Sequence, residues 1–408
     1  MAASVGDATG SGPPVAAGPP PRRRGSVLRT LANAFLALLL ADAALTLVDW
    51  VCERSIGIAF LGPLRGLVAF GLGVCVFAVF TVLHVSPRYA IATFLPPCLL
   101  VSWLQLGAMP LPIWFGLRGA VAVAALLQAG LALWLYRGVR ARTGSWLFDE
   151  ASLAGPNFSR ARIGGFALFV VLGLLPGTAL YLYWAAGAAL SHFTGGFLRM
   201  DTQGVYAADR TYVHGADRVR LIATMHVASS EYYRQILATV PGDPRTVTLA
   251  EGVSDREHLL PGLDYSGVAA TLGLASQSKE WSGWQGEIRR ADIDVSDLSP
   301  PTIEFLQKMT GVLDAMSSGD GLRVAAAYSR LAEQHVDPER FFADVLEQRN
   351  AHLLREIEFA LLDYDLLIVP WGAAHMRGVE QGVIDLGFER VDSETREWRV
   401  VTWSRDAR

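Results

Sequence analysis

Five apolar stretches fill most of the first half of this chain and constrain its fold more than any other feature. Residues 31–51, 61–83, 89–109, 116–136 and 164–190 are each close to or above the length needed to cross a bilayer, about 20 residues. Lipid offers no water to the backbone, so such segments must be helical. The whole chain is correspondingly apolar, with 51% hydrophobic residues and a mean hydropathy of +0.30. A multi-pass membrane protein is expected, with the lipid bilayer as its first partner. Pro96 and Pro97 fall inside the third stretch and predict a kink, which neighbouring helices can accommodate. Trp50, Trp103, Trp114 and Trp134 stand near the ends of the stretches, where interfacial aromatics collect. Asp42 lies near the middle of the first stretch. A carboxylate at that depth marks a functional residue by default, and a bond to a neighbouring helix is the alternative.

Arginine placement orients this bundle. Arg22, Arg23, Arg24 and Arg29 precede the first stretch, Arg88 follows the second, and Arg137, Arg140, Arg142, Arg160 and Arg162 crowd the loop before the fifth. The opposite loops carry only Arg54, Arg65 and Arg118. Positive charge concentrates on the cytoplasmic side, so the N-terminus is expected there. An odd number of crossings then carries everything after about residue 192 out of the cytoplasm. The tail 1–27, rich in Gly, Pro, Ala and Ser, cannot bury a core and is expected to be disordered. No small-residue cleavage site follows the first apolar run, which reads as a retained anchor. The organisation is thus a tail over 1–27, a transmembrane region over 28–192, and an extracytoplasmic domain over 193–408.

That last segment has a different character. Charged residues become frequent and apolar runs shorten to strand length. Strands are expected near 203–213, 218–225, 245–250, 286–293 and 365–370. Helices are expected from about 229, over 300–316, 320–334 and 338–362, and from 375, and a hairpin near 388–403. This mixture gives an α/β or α+β domain. The three cysteines, Cys52, Cys75 and Cys98, all lie in the apolar half, which excludes a cysteine nucleophile or thiolate metal site from the C-terminal domain. The formal charge of −4 gives no footing for nucleic acid.

Two strand-like runs end in the same way. "VRLIAT" leads to Ala223-Thr224-Met225-His226, and "DLLIVPW" leads to Gly372-Ala373-Ala374-His375. A third run, "RTVTLA", leads to Glu251. If these strands are parallel neighbours, their C-terminal ends share one edge, where ligands collect in α/β folds. Two imidazoles and a carboxylate suit a divalent transition metal with open positions for water, such as manganese, cobalt or zinc. Packing and capping are the plainer roles for each residue alone. Arg349 falls on the apolar face of its helix with Phe342, Leu346, Leu353 and Ile357, so its charge needs a partner: Glu251, Asp292, Asp294 or an anionic substrate group. In "RRADIDVSDLSP", Asp297 or Ser299 is a candidate cap for the following helix, and Asp292 remains a site candidate. Trp281 and Trp284 form either an aromatic flap over the site or an ordinary loop packed on the core.

In this order the motifs resemble the TraB/PrgY/GumN/Tiki superfamily, whose mark is a pair of Gly-x-x-His motifs with an acidic residue between them. "GAAH" at 372–375 matches in full, and "ATMH" at 223–226 matches except that Ala223 replaces glycine. "LAEGVSD" at 249–255 points to Glu251, "LEQRN" at 346–350 to Arg349, and "RADID" at 290–294 to Asp292. The resemblance covers about residues 200–390. It implies a C-terminal α/β (EreA/ChaN/Tiki-like) domain, while the N-terminal multi-span α-helical bundle lies outside it and is expected from the apolar stretches alone. It further implies a membrane-anchored metal-dependent hydrolase acting on peptide or protein substrates. His226, His375 and Glu251 would hold the ion, and Glu251, Arg349 and Asp292 would serve the chemistry. A peptide-sequestering regulator and a metal-free esterase are the alternatives.

Overall fold

Apolar side chains all round, in runs of 24 residues or more, make long helices in the first half. The computed structural model describes residues 25–58, 60–260, 265–332 and 337–403; the expected tail lies, up to Arg24, outside the described residues. Six helices come first: α1 (Gly25–Ile56), α2 (Gly62–Val85), α3 (Ile91–Gln105), α4 (Leu111–Thr143), α5 (Arg160–Phe169) and α6 (Leu175–Phe193). A π-helical turn, Val170–Leu174, joins α5 to α6. Four helical stretches are long and apolar enough to cross a membrane: Val27–Ile56, Gly62–Val85, Leu111–Thr143 and Arg160–Phe193. This is a multi-pass membrane protein.

The third expected span is the exception. Its helix α3 has 15 residues and so rises only about 22 Å, against the roughly 30 Å of a hydrocarbon core. The chain nevertheless traverses the bundle there. Tyr89 donates its hydroxyl to the Leu28 carbonyl (2.6 Å), at the start of α1, while Trp50, near the end of α1, donates its indole N–H to the Arg118 carbonyl (3.1 Å). Residues 89–118 therefore connect opposite ends of α1. The remaining distance is covered by the segment 106–117, which includes Gly116 at φ +68°, a conformation that suits glycine. Arg65 pairs with Asp49 (2.6 Å) at the Trp50 end, and Arg162 reaches the Leu83 and Tyr89 carbonyls (2.8 and 2.6 Å) at the Leu28 end. Asp42 is bound within the bundle: Gln128 donates to its carboxylate and to the Leu39 carbonyl, both at 2.9 Å.

The chain divides into two compact units between Leu180 and Tyr181, earlier than residue 193. The last turns of α6, from Tyr181 to Phe193, fall in the second unit. That unit contains β1 (Leu198–Asp201), β2 (Gly204–His214), β3 (Asp217–Thr224), β4 (Val227–Ala228), α7 (Ser230–Leu237), β5 (Thr246–Ala250), α8 (Ser266–Leu272), β6 (Ala275–Ser276), α9 (Gln277–Glu280) and β7 (Glu287–Arg290). It continues with α10 (Pro300–Ser317), α11 (Gly321–Ala332), α12 (Pro338–Phe342), α13 (Arg349–Ala360), β8 (Leu366–Gly372), α14 (Ala373–Asp385), β9 (Glu389–Arg390) and β10 (Arg396–Thr402). The main sheet runs β1-β2-β3-β8-β5-β7. Strands β3, β8, β5 and β7 are mutually parallel, and β2 is antiparallel to β3. This is a mixed α/β sheet. Its inner parallel strands β3, β8 and β5 are largely buried, as strands covered on both faces must be, whereas the edge strand β7 is charged and mostly exposed.

Two expectations change here. The C-terminal hairpin does not form: β9 and β10 both pair with β2 rather than with each other, because the 3₁₀ turn Asp392–Glu394 carries the chain along β2. The helix expected over 338–362 is broken by a π-helical turn, Ala343–Gln348. The extra residue rotates the face, so Phe342 is 49% exposed whereas Leu353 and Ile357 are fully buried. Arg349 is the first residue after that turn.

Candidate functional site

Three parallel strands end side by side. Thr224 of β3 is in register with Gly372 of β8, and Ala250 ends β5 on the other side of β8. The loops that follow deliver His226, Glu251 and His375 to one edge, where the chain direction changes from strand to helix or loop. Gly372 is fixed by its neighbour: a Cβ there would stand 3.1 Å from Glu251 Oε2. Without one, the Gly372 N–H donates to that oxygen at 2.6 Å.

Arg349 occupies the middle of this edge and uses all five of its hydrogens. Its Nε and one Nη clamp Asp292 in a bidentate pair (3.0 and 2.6 Å). That Nη also donates to Glu251 Oε1 (2.9 Å). The other donates to His375 Nε2 (3.1 Å) and to the Val345 carbonyl (3.5 Å), a carbonyl inside the π turn. The guanidinium carbon stands 5.5 Å from the centre of the buried Trp371 ring. The pairing is deep: the side chains of Arg349, Glu251 and Asp292 are 12%, 9% and 0% exposed. Burial opposes the Asp292 charge, but the Arg349 bonds outweigh it and hold that carboxyl below its ordinary range. Burial likewise opposes the guanidinium charge, and Asp292 and Glu251 raise it again.

Arg349 also fixes the state of His375. A guanidinium only donates, so His375 Nε2 must accept, and the ring hydrogen is on Nδ1. Nδ1 faces Asn350 Oδ1 at 2.8 Å. Burial first, and the Arg349 charge second, push the His375 imidazole down to about 4, so it is neutral at pH 7. Asn350 was not singled out by sequence reasoning. Its signal is the neighbouring arginine, since both side chains reach His375, Arg349 at Nε2 and Asn350 at Nδ1. Gly378 makes room for it, because a Cβ there would stand 2.5 Å from Asn350 Nδ2.

His226 stands apart from this cluster. It is exposed, its Nδ1 faces Gln277 Oε1 (3.2 Å), and its ring stacks on Tyr265 with centroids 4.7 Å apart and planes at 13°. It is still close enough for its charge to bear on His375. Tyr265 links the two parts: burial, then the Glu251 charge, raises its hydroxyl. The aromatic pair packs on the core rather than forming a free flap, with Trp284 Nε1 donating to Thr248 Oγ1 (3.0 Å). Asp294 caps the 3₁₀ turn Val295–Asp297 in a capping box with Asp297, while Ser299 begins α10 without a side-chain cap bond.

The donor types expected for a divalent ion are present, but this arrangement is not a metal cage. Among the described residues no group of three or more His, Cys, Asp or Glu could hold an ion. The geometric reason is Arg349, which takes His375 Nε2, Glu251 Oε1 and both Asp292 oxygens. The site already contains a buried cation, shared by two carboxylates. Behind Asp292 an open polar cleft of about 470 Å³ is bordered by Ser254, Arg256, Glu257, Asp294 and His352. No family model, curated protein or solved structure matches this chain.

Proposed function

We propose that the protein is a membrane-anchored hydrolase of the Tiki-like kind, cleaving peptides or proteins outside the cytoplasm. The observation that carries this reading is the meeting of Glu251 and His375 on a buried Arg349 at the edge where three parallel strands end, with His226 exposed at that same edge. Glu251 is an anion held by Arg349 and the Gly372 N–H, and each of its oxygens keeps a lone pair for a water. It orients that water and accepts its proton. His226, exposed beyond the end of β3 on the other side of β8, moves the proton to the leaving group. Arg349 offsets negative charge developing beside Glu251. Asp292 anchors Arg349, and Asn350 keeps His375 in the tautomer that accepts from it. No step runs through the divalent ion that the resemblance implies, because Arg349 already occupies His375 Nε2 and Glu251 Oε1, two of the donor atoms that would hold it.

The test is a mixed peptide library incubated with the detergent-solubilised full chain and read by mass spectrometry. Cleavage is expected, unchanged by a chelator, and about 100-fold or more slower in His226→Ala. Cleavage that requires added manganese, cobalt or zinc would return the metal to the site. Peptide capture without cleavage under every condition would make the domain a sequestering module.

The arginine asymmetry and the passage of residues 89–118 between opposite ends of α1 support a cytoplasmic N-terminus and an external C-terminal domain. Ser318 is exposed beyond α10. A Ser318→Cys variant, in a background without Cys52, Cys75 and Cys98, is expected to react with an impermeant thiol reagent in intact cells. Reaction only after permeabilisation would reverse the orientation.

A further inference from the structure

An exposed histidine has little packing to set the direction of its ring. At His226 one residue supplies what packing does not. The Gln277 N–H donates to the His226 carbonyl (2.9 Å), and the Gln277 side-chain oxygen stands 3.2 Å from His226 Nδ1. The backbone on either side is tied as well, since Val227 of β4 pairs with Ser276 of β6. Three residues along α9, Glu280 accepts from Ser230 Oγ at the start of α7 (3.1 Å), so the same short segment is secured at both ends. Tyr265 covers one face of the ring.

We infer that Gln277 is a positioning residue for His226. It fixes the ring with its hydrogen on Nδ1 and its lone pair on Nε2. A carbonyl oxygen facing Nδ1 accepts, so Nδ1 must carry the hydrogen. Nε2 is then the free nitrogen, the only one that can take a proton. The reverse tautomer would present an N–H to the reacting group and could not begin the transfer. The inference rests on the proton-carrying role given to His226 above, but the tautomer is read without any activity.

The test uses the full chain in detergent with ¹⁵N-labelled histidine, the His226 signal being identified by its loss in His226→Gln among the 8 histidines. The wild type is expected to show the Nδ1–H tautomer. Gln277→Leu, which keeps size but accepts nothing, is expected to show a mixture of tautomers. Its kcat is expected to fall about 10-fold or more with KM little changed, the scale typical of residues that orient a functional imidazole. Gln277→Glu restores an acceptor without a donor and is expected to restore both the tautomer and most of kcat. An Nε2–H tautomer in the wild type, or an unchanged tautomer in Gln277→Leu, would overturn the inference. If either occurs while His226→Ala still abolishes turnover, the proposed function stands and the role of Gln277 falls. If the tautomers behave as expected but His226→Ala cleaves normally, the proposed function falls instead.

Discussion

Arg349→Met is expected to destabilise the C-terminal domain by about 3–5 kcal/mol, the cost of leaving buried charge unpaired. Without the guanidinium, Asp292 keeps only the Gly252 and Ile293 N–H groups, and Glu251 keeps only that of Gly372. Two carboxylates then remain buried with no counter-charge. Arg349→Lys is expected to fall between, because one ammonium cannot serve Asp292 bidentately and still reach Glu251 and His375. Adding Asp292→Asn and Glu251→Gln to Arg349→Met is expected to recover much of the loss, since the charges disappear together. Chemical unfolding of the full chain in detergent, followed by tryptophan fluorescence, reads all of these. A loss below about 1 kcal/mol in Arg349→Met would mean that the carboxylates reach water and that the cluster is not a buried network. Acid probes the same cluster from the other side. The folded domain holds the His375 imidazole near 4 against an ordinary value of 6.5. Below about pH 6.5 the unfolded chain binds a proton that the folded domain refuses. This contribution to stability is complete above that pH and declines as pH falls towards 4.

Periodicity made much of this fold legible. The runs "VRLIAT" and "DLLIVPW" became β3 and β8, and their pairing is parallel, the condition that the sequence alone had left open. Arg349 was legible for a different reason: a charge among Leu353 and Ile357 had to find a carboxylate, and it found Asp292 and Glu251. The parts that were not legible depend on contacts distant in sequence or on a change of helical period. Nothing in "ADVLEQ" announces a π turn, yet that turn exposes Phe342 and offers Arg349 the Val345 carbonyl. The partner of β10 is decided by β2, almost 200 residues earlier. His226 shows the same limit at the site. Its place just beyond β3 was readable, but its ring direction is set by Gln277 and Tyr265, in a segment with no periodic signal. The metal reading drew on strand-end placement, residue types and the family resemblance, and none of these reveals that Arg349 donates to His375 Nε2.

Glu251→Gln should separate the site's chemistry from its architecture. Glutamine keeps the shape of glutamate, and its carbonyl can still accept from the Gly372 N–H or from Arg349. It cannot take a proton from water at neutral pH. Asp292 remains in place as the counter-charge of Arg349, so the pocket keeps a buried ion pair and the fold is expected to survive. Turnover is expected to fall about 100- to 10,000-fold, the range for a lost general base. Binding is expected to change far less, because proton transfer is made only on the way to the transition state. The Arg349 variants fail through stability, whereas Glu251→Gln is expected to fail through kcat in a folded protein. The measurement is kcat and KM for one cleaved peptide, with unfolding midpoints taken on the same samples. Wild-type kcat in a folded Glu251→Gln protein would sink the assignment of Glu251 as base, and the carboxylate would then serve only to hold Arg349. A drop in kcat matched by an equal drop in stability would point the same way, because loss of fold alone would account for it.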